Sequence, residues 1–217
     1  MAVVERQLPI AEQQAIHDRR HHVLRPHLGV PRQSRAILLQ LTPANVACWA
    51  LGGLYLSLMP TVVATAMHVV SPWIGGVVVS TLMLTAAVVV AACRNWPARR
   101  LVLMGTSTVS LGVAVSMAGI AQQQVAALLI GTAIAGAGFG VTFSGTLRAL
   151  LPTAEPHQRA GLLSAFYLQS CLAFALPALA AGLSVPLIGL TTVAYLYGAA
   201  IILLAIISMF ASLWSGR

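Results

Sequence analysis

Beyond position 36 the chain is a succession of long apolar runs broken by short polar punctuation. Six runs, over 43–67, 72–93, 101–121, 125–151, 161–183 and 188–213, each reach the roughly 20 residues that an α-helix needs to cross a bilayer. The pattern predicts an all-α, polytopic membrane domain with six transmembrane helices over 36–217, preceded by a polar segment over 1–35. At the start of the first run, Thr42 suits the N-cap and Pro43 the first helical position, where its missing N–H costs nothing. A short helix over 10–24, ended by Pro26, is expected in the polar head. Its opening residues lack the basic-then-apolar order of a secretory signal.

The connections carry the orientation. Those at 68–71, 122–124 and 184–187 hold no Arg, Asp or Glu. Arg94, Arg99 and Arg100 fall between the second and third runs, and Arg148, Glu155 and Arg159 around the fourth connection. Arginine thus recurs at every second connection and at both ends of the chain. The positive-inside rule then places both termini in the cytoplasm, with the helices passing back and forth between.

Composition sharpens this reading. Apolar residues make up 59% of the 217 residues and charged ones only 7%, with a mean hydropathy of +0.89. Soluble domains carry about 25% charged residues, so a soluble enzyme or a free nucleic-acid-binding module is excluded despite the net charge of +8. All twelve basic residues are arginine. With the heavy use of Ala, Val and Leu, this points to a GC-rich bacterial genome and hence a bacterial inner membrane. Cys48, Cys93 and Cys171 lie far apart in apolar runs and form no disulfide framework or metal motif. His17 and His21 have the i, i+4 spacing of a ligand pair, but no further ligand joins them, so no metal is expected.

Inside the runs the chemistry is neutral. No Asp, Glu or Lys occurs there, and the polar inventory is Asn45, Tyr55, Thr61, Thr65, Thr142, Ser144, Tyr167, Gln169 and Ser170. Intramembrane charge marks proton relays and ion pathways, so this chain has no relay of its own. His68 is expected at the outer rim. Thr142-Phe-Ser-Gly145 shares only its last two residues with the G-x-S-G of intramembrane serine proteases, and no histidine within a run could serve as base. Neither an enzymatic activity nor a cofactor is expected. The glycines are the strongest local signal. Gly105, Gly112 and Gly119 repeat every seven residues, a small-residue stripe for one neighbouring helix. Gly136 and Gly140 form a G-x-x-x-G pair that admits close backbone approach. Pro60 and Pro177, inside the first and fifth runs, are expected to bend them.

Several stretches together resemble a known family. They are Gly136-Ala-Gly-Phe-Gly140, Leu147-Arg148-Ala-Leu-Leu-Pro152, Gln158-Arg-Ala-Gly161, Ser164-Ala-Phe-Tyr167 and Ala175-Leu-Pro-Ala-Leu-Ala-Ala-Gly182. They are similar to the tenth and eleventh helices of efflux-type members of the major facilitator superfamily, with 1–35 in place of the central loop. Arg99-Arg100 matches the end of that family's G-x-x-x-D-R-x-G-R-R loop motif, without its acid and glycines. The resemblance implies a C-terminal six-helix half, built of two inverted three-helix repeats, which moves a small organic molecule or drug outward by proton exchange. The first and fourth helices would line a cavity, the second and fifth flank it, and the third and sixth face lipid. Asn45, Trp49, Tyr55, Phe139, Phe143 and Tyr167 are the cavity candidates, and Arg94, Arg99, Arg100, Arg148 and Arg159 the cytoplasmic loop and gate candidates. The implied partners are the lipid bilayer, a second six-helix half or a homodimer mate, and the small-molecule substrate. The alternative is a non-transporting membrane protein, such as a transporter fragment or the scaffold of a larger complex.

Overall fold

Each apolar run folds as a helix because, within a bilayer, every backbone N–H and C=O must be paired inside its own segment. The computed structural model describes residues 30–68, 71 and 73–214, with side chains to 212. The helix expected over 10–24, and His17 and His21 with it, lie outside the described residues. The order is α1 (Arg32–Ala66), α2 (Ile74–Ala92), α3 (Ala98–Ala121), α4 (Val125–Leu150), α5 (Arg159–Ile188) and α6 (Leu190–Trp214). All six are long and apolar enough to span a membrane, and the described residues contain no strand.

Two boundaries depart from the sequence reading. Helix α1 begins at Arg32, so Thr42 and Pro43 lie inside it rather than at its cap. The proline withholds one backbone donor, but the preceding turns carry Ile37, Leu38 and Leu41, which pack with Ala44 against Val102, Leu150, Leu162 and Phe166. Burial of that cluster outweighs the local capping signal, and Thr42 turns its hydroxyl back to the Leu38 carbonyl at 2.9 Å. Helix α5 likewise runs through the stretch expected as a loop at 184–187. Ser184 bonds back to the Ala180 carbonyl at 2.8 Å, and the reversal into α6 rests on Gly189 alone. Its φ of +83° is one that other residues rarely adopt.

Helix α1 changes register midway. Residues Leu54–Leu58 form a π-helical turn, with the Met59 N–H donating to the Leu54 carbonyl. Pro60 follows at once, lacking the donor that would continue an α-helical ladder, so the wider turn absorbs the defect. Gly53, just before it, lets α1 close on the Phe174 carbonyl of α5, three residues ahead of Pro177. Pro60 itself backs onto Gly75 of α2.

The helices pair unevenly. The most extensive seam joins α3 to α4; α4 also receives α2, while α1 is packed by α5, α6 and α4, and α3 by α6. In the most apolar stretch of each helix, 67% of residues are buried in α1 but only 17% in α2 and 11% in α5. Those two helices turn long rows of side chains outward, among them Met83, Leu84 and Val88 on α2 and Leu168, Leu172, Leu176 and Leu179 on α5. The seven described arginines, Arg32, Arg35, Arg94, Arg99, Arg100, Arg148 and Arg159, all fall at one end of the bundle, at helix starts, helix ends and the links there.

Candidate functional site

Where α1, α4 and α5 meet, their aromatic side chains form a continuous row. Trp49 stands edge-on to Phe139 and Phe143, with both ring centroids 6.0 Å away. Phe143 continues to Phe166 at 6.4 Å, and Phe166 to Tyr167 at 5.7 Å. Tyr167 is 44% exposed on the outer side of α5, whereas Phe166 is buried. Four of the six cavity candidates thus belong to one row on three helices.

Beneath the row lies a polar seam between α1 and α5. Asn45 is buried and donates from Nδ2 to Ser170 Oγ at 3.0 Å, while Ser170 Oγ sits 2.8 Å from the Phe166 carbonyl, its acceptor. Gln169 donates from Nε2 to Thr42 Oγ1 at 2.8 Å. Thr42, Asn45 and Trp49 are spaced i, i+3, i+7 along α1, which puts them on one face. Two atoms of this region are buried without a hydrogen-bond partner: Trp49 Nε1, a donor, and Gln169 Oε1, an acceptor.

A groove of about 590 Å³ runs beside the seam, walled by Val46 of α1 and by Ala165, Leu168, Gln169, Leu172 and Leu176 of α5. Its walls are apolar apart from Gln169. The arrangement can take up an apolar or amphiphilic molecule and fix its orientation at a single amide.

Tyr55 is placed elsewhere. It is fully buried, and its hydroxyl shares a 2.6 Å hydrogen bond with Ser116 Oγ across the α1–α3 contact, away from the groove lining. Phe166 and the pair Thr42–Gln169 were not among the site residues expected from sequence. The spacing of Phe166, Gln169 and Ser170 on one turn of α5, opposite Thr42 and Asn45, is the signal that could have found them.

The loop arginines are engaged with backbone carbonyls. Arg148 donates from Nη1 to the carbonyl of Arg94, Arg99 from Nη2 to that of Ser212 at 3.4 Å, and Arg159 from Nε to that of Ala154 at 3.3 Å. Arg100 is exposed. Glu155, the one described acid, lies 3.5 Å from His157. No cluster of three or more His, Cys, Asp or Glu occurs among the described residues.

The glycines set the frame that holds these groups. A Cβ at Gly119 would lie 2.6 Å from the Leu128 amide nitrogen, and one at Gly112 would lie 2.6 Å from Ala135 Cα. Gly105 meets Thr142 in the same way, so the seven-residue stripe of α3 lies against Leu128, Ala135 and Thr142 of α4, themselves seven apart. Gly131, Gly138 and Gly145 of α4 answer from the other side, against Ser116, Val109 and Val102. Gly136 and Gly140 serve a different neighbour, backing onto Leu82 and Ala86 of α2. The chain matches no protein-family model, and no curated protein matches it.

Proposed function

We propose that this chain is one six-helix half of a secondary transporter of the major facilitator kind, moving small, largely apolar organic molecules across a bacterial inner membrane. The observation that carries this reading is the pairing scheme of the helices. Exchanging α1–α3 with α4–α6 turns the α2–α4 seam into the α5–α1 seam, and α3–α4 into α6–α1, while α1–α4 and α3–α6 map onto themselves; the lesser α1–α2 and α5–α6 contacts have no counterpart of similar extent. A three-helix repeat has an odd number of spans, so two such repeats in sequence run in opposite directions through the membrane, as inverted repeats do.

The least-covered helices, α2 and α5, are exchanged by the same operation and would flank a cleft shared with a second half. Helices α1 and α4 would line that cleft, with α3 and α6 behind them against lipid. Ser57, Thr61 and Thr65 support this, since they form an exposed stripe four residues apart on α1, in an otherwise apolar span. Hydroxyls uncovered at that depth fit a watered cleft better than lipid. The cargo would be oriented by Gln169, and driven outward by proton exchange. The acidic group for that exchange would come from the partner half. The arginine end would face the cytoplasm.

Reconstitution tests the reading. In proteoliposomes with an imposed proton gradient, the chain assembled with a second six-helix unit, its own copy or another, is expected to move a lipophilic dye. Gln169→Leu should cut that flux about tenfold, equivalent to losing one orienting hydrogen bond. Purified monomer alone should show none. Flux by the monomer would defeat the two-half mechanism, and absence of flux in every assembly would leave a non-transporting scaffold.

A further inference from the structure

At the arginine end a second concavity, of about 320 Å³, opens between α1, α3, α4 and α6. Its lining is Ile37, Gln40 and Leu41 of α1, Val102 of α3 and Ala149 of α4, together with Arg99 and Ser212. Arg99 is exposed, and among the described residues its hydrogen bond is the long contact to the Ser212 carbonyl, which takes up one nitrogen of the guanidinium fork. Around it the charge is strongly one-sided. Among the described residues, seven arginines stand at this end against one acidic side chain, and Glu155 is next to His157 rather than to an arginine. Among the described residues no arginine is paired with an acid.

We propose that this concavity is a binding site for an anionic phospholipid, with the headgroup phosphate on Arg99 and the first acyl carbons against Ile37, Leu41 and Val102. Charge complementarity selects the headgroup, because a guanidinium fork matches a phosphate in two parallel hydrogen bonds. The apolar walls select a lipid over a free anion, because they would leave the lower part of the concavity without a partner for phosphate alone. Clefts of this kind, basic at the rim and between transmembrane helices, suit acidic headgroups. The site is independent of the transport reading. It uses the end of the bundle away from the α1 π-turn, and none of the groove residues.

The test is native mass spectrometry of the full chain released from mixed micelles, titrated with phosphatidylglycerol and, separately, with phosphatidylcholine. Phosphatidylglycerol adducts should persist at least about tenfold more than phosphatidylcholine adducts. Arg99→Gln should remove most of that preference, whereas Arg159→Gln, the same loss of charge on α5 away from the concavity, should keep it within about twofold. Ala149→Leu, which fills the concavity without touching charge, should lower phosphatidylglycerol retention with a native helical spectrum. Equal retention of the two lipids, equal losses in the two arginine variants, or full displacement by excess inorganic phosphate would each overturn the assignment.

Discussion

At the level of single residues, the bundle distinguishes polar groups that tie helices together from polar groups left over. Tyr55 and Asn45 are of the first kind, each spent on a serine of another helix. Hydrogen bonds between transmembrane helices are worth about 0.6 kcal/mol on average and at most about 1.7. Tyr55→Phe should therefore lose about 0.5–1.5 kcal/mol in reversible unfolding in mixed micelles. Ser116→Ala in the same background should add little, because the pair has already been broken. Gln169 is of both kinds: its Nε2 donates to Thr42 of α1, while its carbonyl oxygen is buried and unpartnered. Gln169→Leu should cost up to about 1.7 kcal/mol, as should Thr42→Val, which breaks the same bond, but only Gln169→Leu should weaken dye binding, which separates a ligand contact from a structural one. The sequence reading names Trp49, Phe139, Phe143 and Tyr167, since aromatic residues are scarce in this chain and stand out, but not Phe166, which joins them into one row. It misassigned Tyr55 to the cavity because a polar tyrosine in an apolar run looks alike whether its hydroxyl meets a ligand or a serine 61 positions away.

At the level of the helix, the glycine stripes make the strongest statement. Gly112→Leu should separate α3 from α4 and cost upwards of about 2 kcal/mol, since the side chain would have to displace Ala135 backbone. Gly76→Leu, where a Cβ meets nothing within 4 Å, should stay within about 0.5 kcal/mol of the parent in the same unfolding assay. The heptad of α3 is legible in the sequence because nothing interrupts it. Its counterpart at Gly131, Gly138 and Gly145 has the same period, but Gly136 and Gly140 fall between and belong to the seam with α2. One-dimensional spacing cannot tell two faces of one helix apart when both are glycine-rich. The ends of α1 and α5 were misread for a related reason: capping and turn signals are local, whereas Ile37, Leu38 and Leu41 are held in place by residues more than sixty positions away.

For the molecule as a whole, the number and order of the spans were open to reading, because hydropathy needs no knowledge of neighbours. Which helices touch was not, and neither was the groove beside α5, since both follow from the pairing scheme. Reporter fusions after Arg217 should be active in the cytoplasm; activity in the periplasm would contradict the charge argument. A further expectation concerns His68, exposed at the end opposite the arginines. It can reach only one side of the membrane there, so His68→Ala in an assembled, proton-driven transporter should leave coupling intact. Loss of proton-driven flux in that variant, with the protein folded and inserted, would place the carrier in this chain after all.

The interlocked stripes of α3 and α4 also bear on how the molecule comes to exist. The two helices are joined by three residues, 122–124, and their matching small-residue registers need no other helix to find each other. A hairpin with such local contacts closes early, because little chain entropy is lost in bringing its halves together. It should be the first unit to become protease-resistant as the chain leaves the ribosome, and the last to exchange its amide hydrogens when the bundle is loosened by detergent. Helix α2, thinly covered, would then dock late onto the finished hairpin and α5 late onto α1, and both would be released first. Deuterium uptake followed peptide by peptide should show that order, with α5 exchanging well before α4.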